Sequence, residues 1–255
     1  MAIGLRNPQW LAPLIGLGVA LACWSTLASP PAPRSVASLQ AFTAVYTAYF
    51  QGKLAGNAQM HLWQPKPQTA LWQIDMAVHG RHGFASLLGL NLVQTTQFWD
   101  TAPRYIPLQQ TTCRTLWLFE RCATGHYDWQ TRVVRWDGPP IPAKHRAAMA
   151  LQPGDQTALL INLALMRDAS PDRTLTYRYV ETGRVREYIY HVATHPETIE
   201  VNGLRYTAIR IARTNGGTSE TFFWIANGVP TPIRILQREH GQDRIDLQLV
   251  NYQGV

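Results

Sequence analysis

The amino-acid sequence predicts an all-β, mainly antiparallel fold of roughly ten to twelve strands with one buried helix near residues 155–167. Three observations predict it. Residues 197–250 alternate apolar and polar side chains with period two and are cut by turn residues at short intervals. Alternating segments already begin at Ala41, with no helical run between them, which excludes a βαβ design. A helical apolar run occurs once in the chain after residue 41 at useful length, after Pro153-Gly154-Asp155.

The 197–250 stretch is the clearest. Ile199 and Val201 lead into Asn202-Gly203, and Leu204 to Ile211 follows. Asn-Gly between alternating runs is a hairpin signal, because both residues accept the positive φ of a type I′ turn. Asn215-Gly216-Gly217, Asn227-Gly228 and His240-Gly241 mark the next turns. Ile245, Leu247 and Leu249 fall on one side of the last strand, and Arg244, Asp246 and Gln248 on the other.

The earlier strands are read at 41–50, 57–63, 71–78 and 92–99. A Cys-bearing strand follows Arg104-Tyr105-Ile106-Pro107, with further strands at 122–129, 133–136, 175–180 and 188–192. His79 to Gly83 reads as a Gly-rich break, and Phe84 to Leu90 as a short helical segment over the barrel mouth. Pro139, Pro140 and Pro142 read as a loop. In the helix, Leu159, Leu160, Ile161, Leu163, Leu165 and Met166 lie on all sides, with Asp155 as the expected N-cap. A helix apolar all round is buried on more than one side, and with no partner helix it must pack on the concave side of the sheet.

At the N-terminus, Arg6, an apolar run from Trp10 to Trp24 and the small residues Thr26 and Ala28 describe a secretory signal over residues 1–28. The run falls short of the roughly 20 residues of a membrane span. An uncleaved anchor and a lipid-modified Cys23 are the competing readings. Residues 29–40, with Pro30-Pro31-Ala32-Pro33, form a stiff linker, and residues 41–251 a single β domain. Export places the protein in the periplasm.

The chain of 255 residues is 46% hydrophobic and only 15% charged, against about 25% in a typical protein. Removing residues 1–28 takes one Arg and no acid, lowering the formal charge from +7 to +6. Outside the cytoplasm no nucleic acid partner is expected. Arg205, Arg210, Arg234 and Arg244 are expected on a basic, solvated sheet face. Cys113 and Cys122 are expected to form a structural disulfide across a hairpin turning near 116–118.

The catalytic motifs tested are absent. No Gly-x-Ser-x-Gly elbow, P-loop or dinucleotide fingerprint occurs. His79 and His82 lack metal spacing, and His191 and His195 on a strand sit about 13 Å apart, too far for one metal. Asp243 and Asp246 beside a turn read as solvated. No catalytic residue, metal or cofactor is assigned.

Several weak motifs recur in a fixed order. Tyr46 with Gly52 and Gly56 is the first, and Tyr105-Ile106-Pro107-Leu108 the second. Asp155 opening an apolar helix is the third, and Trp224-Ile225-Ala226 with Pro230 and Pro232-Ile233-Arg234 the fourth. In this order the chain resembles domain-of-unknown-function family 3108, exported proteins of Gram-negative bacteria. The resemblance implies a curved sheet close to a half-open barrel, similar to periplasmic carriers that hold acyl chains. It implies no catalytic residue.

The function expected is a monomeric, non-enzymatic binding protein holding a lipid or lipoprotein acyl chain in an apolar cavity. Leu159, Leu163, Met166 and Trp224 are the expected lining. An envelope scaffold binding a protein partner through the basic face is the alternative, and a lipid or glycan hydrolase a second one.

Overall fold

In a computed structural model, sixteen strands and one helix are formed among the described residues, which are 39–80, 91–116, 119–139, 141 and 147–254. The strands are β1 (Phe42–Phe50), β2 (Lys53–Trp63), β3 (Leu71–Gly80), β4 (Asn91–Asp100), β5 (Tyr105–Leu116), β6 (Phe119–Asp128), β7 (Val133–Asp137) and β8 (Met149–Ala150). The chain continues through β9 (Asp155–Gln156), helix α1 (Ala158–Asp168), β10 (Thr174–Glu181), β11 (Arg184–Val192), β12 (Glu197–Val201) and β13 (Leu204–Arg213). It ends with β14 (Ser219–Ala226), β15 (Arg234–Glu239) and β16 (Gln242–Gly254). The strands exceed the ten to twelve expected partly because β8 and β9 have two residues each, too short to carry an alternating pattern. The signal, most of the linker, the 84–90 segment, His82, residues 117–118 of the Cys hairpin, Pro140 and Pro142 lie outside the described residues.

All strands join one sheet in the order β8-β7-β6-β5-β4-β3-β2-β1-β16-β15-β14-β13-β11-β10-β9, with β12 beside β13. The first eight strands form a meander, since each pairs with its sequence neighbour. The returning chain closes onto it where β16 pairs with β1. The pair β9–β10 is parallel and the other pairs are antiparallel. No ladder joins β8 to β9, so the sheet stays open. It belongs to the unit Val36–Val255.

The alternation predicted from sequence fixes the inward face. On β1, Phe42, Ala44, Tyr46 and Ala48 are buried and the residues between them are half-buried. Register carries that face across the sheet, to Leu62 and Ile74 from Phe42 and to Met60 and Met76 from Ala44. Each such side chain contributes about 1.5–3 kcal/mol by leaving water. At Asn202-Gly203 both residues have positive φ (48° and 78°), as a type I′ hairpin requires.

The sheet curls until its two ends meet through side chains. Gln156 Nε2 on β9 donates to the Tyr105 carbonyl on β5 at 3.0 Å. Tyr127 on β6 donates to the Val180 carbonyl on β10 at 3.2 Å. Val180, Tyr127, Val134, Trp136 and Leu151 form a second core along this seam. Gly125 is needed there, because a Cβ would lie 2.8 Å from the Trp136 indole.

Three readings of the sequence need correction. The helix starts at Ala158 and its N-cap is Thr157, whose hydroxyl accepts from Leu160 N at 3.3 Å. Asp155, expected as the cap, is drawn into β9, where its buried carboxylate accepts from Arg178 and from Gln152 N. Asp246 is buried rather than solvated, because Arg234 grips it at 2.8 and 2.9 Å. His79 closes β3 and bonds Asn91 Oδ1 at 3.0 Å, so it is no loop residue.

Candidate functional site

Helix α1 lies on the concave side of the sheet, against β3, β4, β5 and β10. Leu159, Leu160, Ile161, Leu163, Ala164 and Leu165 are buried, which is nearly the whole circumference. Ala158, Asn162 and Met166, spaced four apart, form the half-buried row. Leu159 and Leu163 lie beside that row, and Met166 continues their line at the i, i+4, i+7 spacing. The three expected helical lining residues therefore share a flank of α1.

Polar bonds fix both ends of the helix. At the N-terminus the buried hydroxyls of Thr157 and Thr96, the latter on β4, lie 3.1 Å apart. At the C-terminus Arg167 makes a two-toothed pair with Asp168 at 2.6 and 2.8 Å, and Tyr177 on β10 donates to the same carboxylate at 3.1 Å. The Arg167 guanidinium stacks 4.6 Å from the Tyr105 ring centre. Burial holds the Tyr105 and Tyr177 phenols above the usual tyrosine range, and in Tyr177 the neighbouring Asp168 adds to the effect. Thr96, Gln110, Gln156 and Tyr127 add a polar seam that periodicity does not flag, since each occupies an ordinary inward strand position.

Trp224 is not part of this group. It pairs with Arg210 and Arg234, and so shares their outward face, opposite Phe223 and Ile235. Its indole donates to Glu197 and lies under Arg234, whose guanidinium carbon sits 5.2 Å from the ring centre. Two concavities among the described residues are lined by none of Leu159, Leu163, Met166 and Trp224. The larger, a cleft of about 610 Å³, opens at the strand ends and is lined by Leu39, Gln64, Thr69, Trp72 and Asp100 among others. Burial raises the pKa of the Asp100 carboxyl above its ordinary value.

The four arginines do not make one face. Arg210 and Arg234 lie on the outward side of adjacent strands, and Arg244 has the parity of Asp246 and Gln248 on that side. Arg205, five residues from Arg210 in an unbroken strand, has the opposite parity. Arg234 is engaged by Asp246, and Arg244 by Glu239 at 3.2 Å.

Cys113 and Cys122 face each other across β5 and β6 and are joined as a disulfide, with Cα atoms 4.1 Å apart. Together with Glu120 they are the one set among the described residues with three potential metal-donor atoms within 4.8 Å. The two sulfurs are spent on each other. No helix among the described residues is long and apolar enough to cross a membrane.

An open, curled antiparallel sheet with one helix on its concave side defines a β-barrel-like protein. Residues 45–248 match the family described as Protein of unknown function (DUF3108), and the chain belongs to that family. Among solved structures it is similar to a β-barrel-like DUF1849 protein from Brucella abortus. That match has 10% identity and a TM-score of 0.49, covering 85% of this chain and 98% of that one. It is also similar to a DUF1089 family protein from Pseudomonas aeruginosa, with 8% identity and a TM-score of 0.35, covering 68% and 87%. No curated protein matches the sequence.

Proposed function

We propose that this is an exported, non-catalytic binding protein that takes up an apolar, lipid-like ligand between helix α1 and the concave sheet face. One observation carries the reading: a single helix, apolar on almost every side, occupies the inside of a sheet that no ladder closes. Here α1 acts as a removable plug, and an acyl chain replaces its contacts with β3, β4, β5 and β10. Met60 and Met76, paired across β2 and β3, supply side chains that adapt to a changed occupant. The ligand enters along the half-buried flank of Ala158, Asn162 and Met166. Residues 1–28 act as the export signal and the periplasm is the site of action.

The test is uptake of a fluorescent fatty acid by delipidated protein, together with a lock on α1. Thr96→Cys with Thr157→Cys ties the helix to β4 when oxidised, since the two hydroxyls are 3.1 Å apart. Uptake by the wild type, loss in the oxidised variant and recovery on reduction support the reading. No uptake by the wild type contradicts it.

A second reading rests on the outward face of β13 to β15. There Arg210 and Arg238 lie 5.9 and 5.4 Å from the Phe222 ring centre, and Arg234 covers Trp224. Such a layer suits an envelope protein partner. Arg210→Glu abolishing capture of one defined envelope protein favours it, while Arg234→Glu is uninformative because it also strands Asp246.

A further inference from the structure

The outward face of β1 to β5 has a composition unlike a solvated sheet. Its alternate positions carry amides, hydroxyls, imidazoles and indoles, with Val45, Leu71, Ala77, Val93 and Ile106 among them. Asp75 is the one Asp, Glu, Lys or Arg among them within the described residues. That carboxylate is consumed inside the face. It accepts from the Trp63 indole at 3.0 Å and from Gln73 Nε2 at 2.9 Å. Gln97 Nε2 donates in turn to Gln73 Oε1 at 3.0 Å. Trp63, Asp75, Gln73 and Gln97 thus form one fixed hydrogen-bonded array across three strands. His61 stacks on Trp63 with rings 5.8 Å apart and 9° from parallel.

Trp99 stands at the margin of this array and is 45% exposed. Trp63 pairs with Gln73, and Leu71, two residues before, pairs with Trp99. Two strand spacings and two residue rises separate the indoles by about 12 Å between Cα atoms. The 610 Å³ cleft begins where these strands end, since Gln64 follows Trp63 and Asp100 follows Trp99. Gln64 Nε2 is held there by the Thr69 carbonyl at 2.8 Å.

We propose that this face and the adjoining cleft bind a neutral glycan chain. A pyranose ring presents C–H groups on its flat side and hydroxyls around its rim. The C–H groups pack against the electron-rich face of an indole such as Trp99. The hydroxyls, and the amides of an N-acetylated sugar, exchange donors and acceptors with Gln73, Gln97 and Gln64. The side chains are already locked to one another, so binding orders little that was free. A phosphate or sulfate ligand finds no cation on this face to pair with. A protein partner would favour an Arg-bearing centre, and no Arg stands on this face among the described residues. The proposal is independent of the reading of α1, because the Trp63–Asp75–Gln73–Gln97 array and Trp99 lie on the opposite side of the sheet.

The test is calorimetric titration of the full chain with N-acetylglucosamine oligomers, cello-oligosaccharides and, as a charged arm, a heparin-type sulfated glycan. Binding of a neutral oligomer is expected, with affinity reduced about tenfold by Trp99→Ala, as for an interface anchor. Gln97→Ala weakens it as well, and Leu204→Ala, an exposed apolar change on distant β13, leaves it unchanged. Trp99 is exposed enough for its variant to fold, which circular dichroism verifies. No binding of either neutral oligomer overturns the proposal. Binding that Trp99→Ala leaves intact, or binding of the sulfated glycan alone, overturns it too.

Discussion

Tyr46 shows why the family motifs recur in their order. Its fully buried hydroxyl bonds Thr231 Oγ1 and donates to the Pro232 carbonyl at 3.0 Å, joining the first motif to the fourth across the sheet. Tyr105 joins the second to the third, accepting from Gln156 through its carbonyl and carrying Arg167 on its ring. These residues hold the curl of the sheet together. Tyr46→Phe leaves Thr231 and Pro232 short of a partner in a dry site and should cost about 1–3 kcal/mol. Urea unfolding followed by tryptophan fluorescence measures it, and an unchanged midpoint would contradict the assignment. Tyrosine also sets an alkaline limit. Burial raises the pKa values of Tyr46, Tyr127, Tyr177, Tyr179 and Tyr190, with Asp168 and Glu181 adding to the effect in Tyr177 and Tyr179. In the unfolded chain these phenols ionise near pH 10, whereas in the fold they stay neutral. Their stabilising contribution is therefore complete below pH 10 and is lost as pH rises beyond it. A melting temperature that falls steeply from pH 9 to pH 11, with phenolate absorbance appearing only on unfolding, is the expected result.

Among the elements, α1 was the easiest to find and its boundary the hardest to place. Its apolar run reads plainly in the sequence, but the capping choice between Asp155 and Thr157 depends on Arg178, a partner 23 residues from Asp155 that no local pattern reveals. Thr157→Ala removes the cap and the contact with Thr96 and should destabilise the protein by about 1–2 kcal/mol. Thermal melting checks this, and Thr157→Ser, which keeps the oxygen, should restore most of the loss. The strands were legible where alternation was clean, as in β1 and β3. Face assignments failed where parity was not followed through. Trp224 reads as a core residue by type, yet it sits one position from Phe223 and must point the other way. Arg205 and Arg210 fail to share a face for the same reason. Ile245 keeps the face of Leu247 and Leu249 and is exposed because it pairs with exposed Phe50 at the end of β1.

At the scale of the molecule, local signals specify a meander, and only long-range pairing turns it into a curl. The return of β16 to β1 and the meeting of β9 with β5 depend on contacts far apart in sequence, so the open seam was legible only through the family resemblance. The outward Gln-rich face was hidden for a different cause: its residues look unremarkable one by one and become a pattern only when register aligns them. The account as a whole depends on α1 being displaceable by a ligand. Native mass spectrometry of the protein purified gently from cells producing it tests that claim most directly. The account predicts a population heavier by the mass of one lipid or acyl chain, converted to the bare chain by delipidation. A single species at the bare mass, in protein that also refuses added fatty acid, would contradict it.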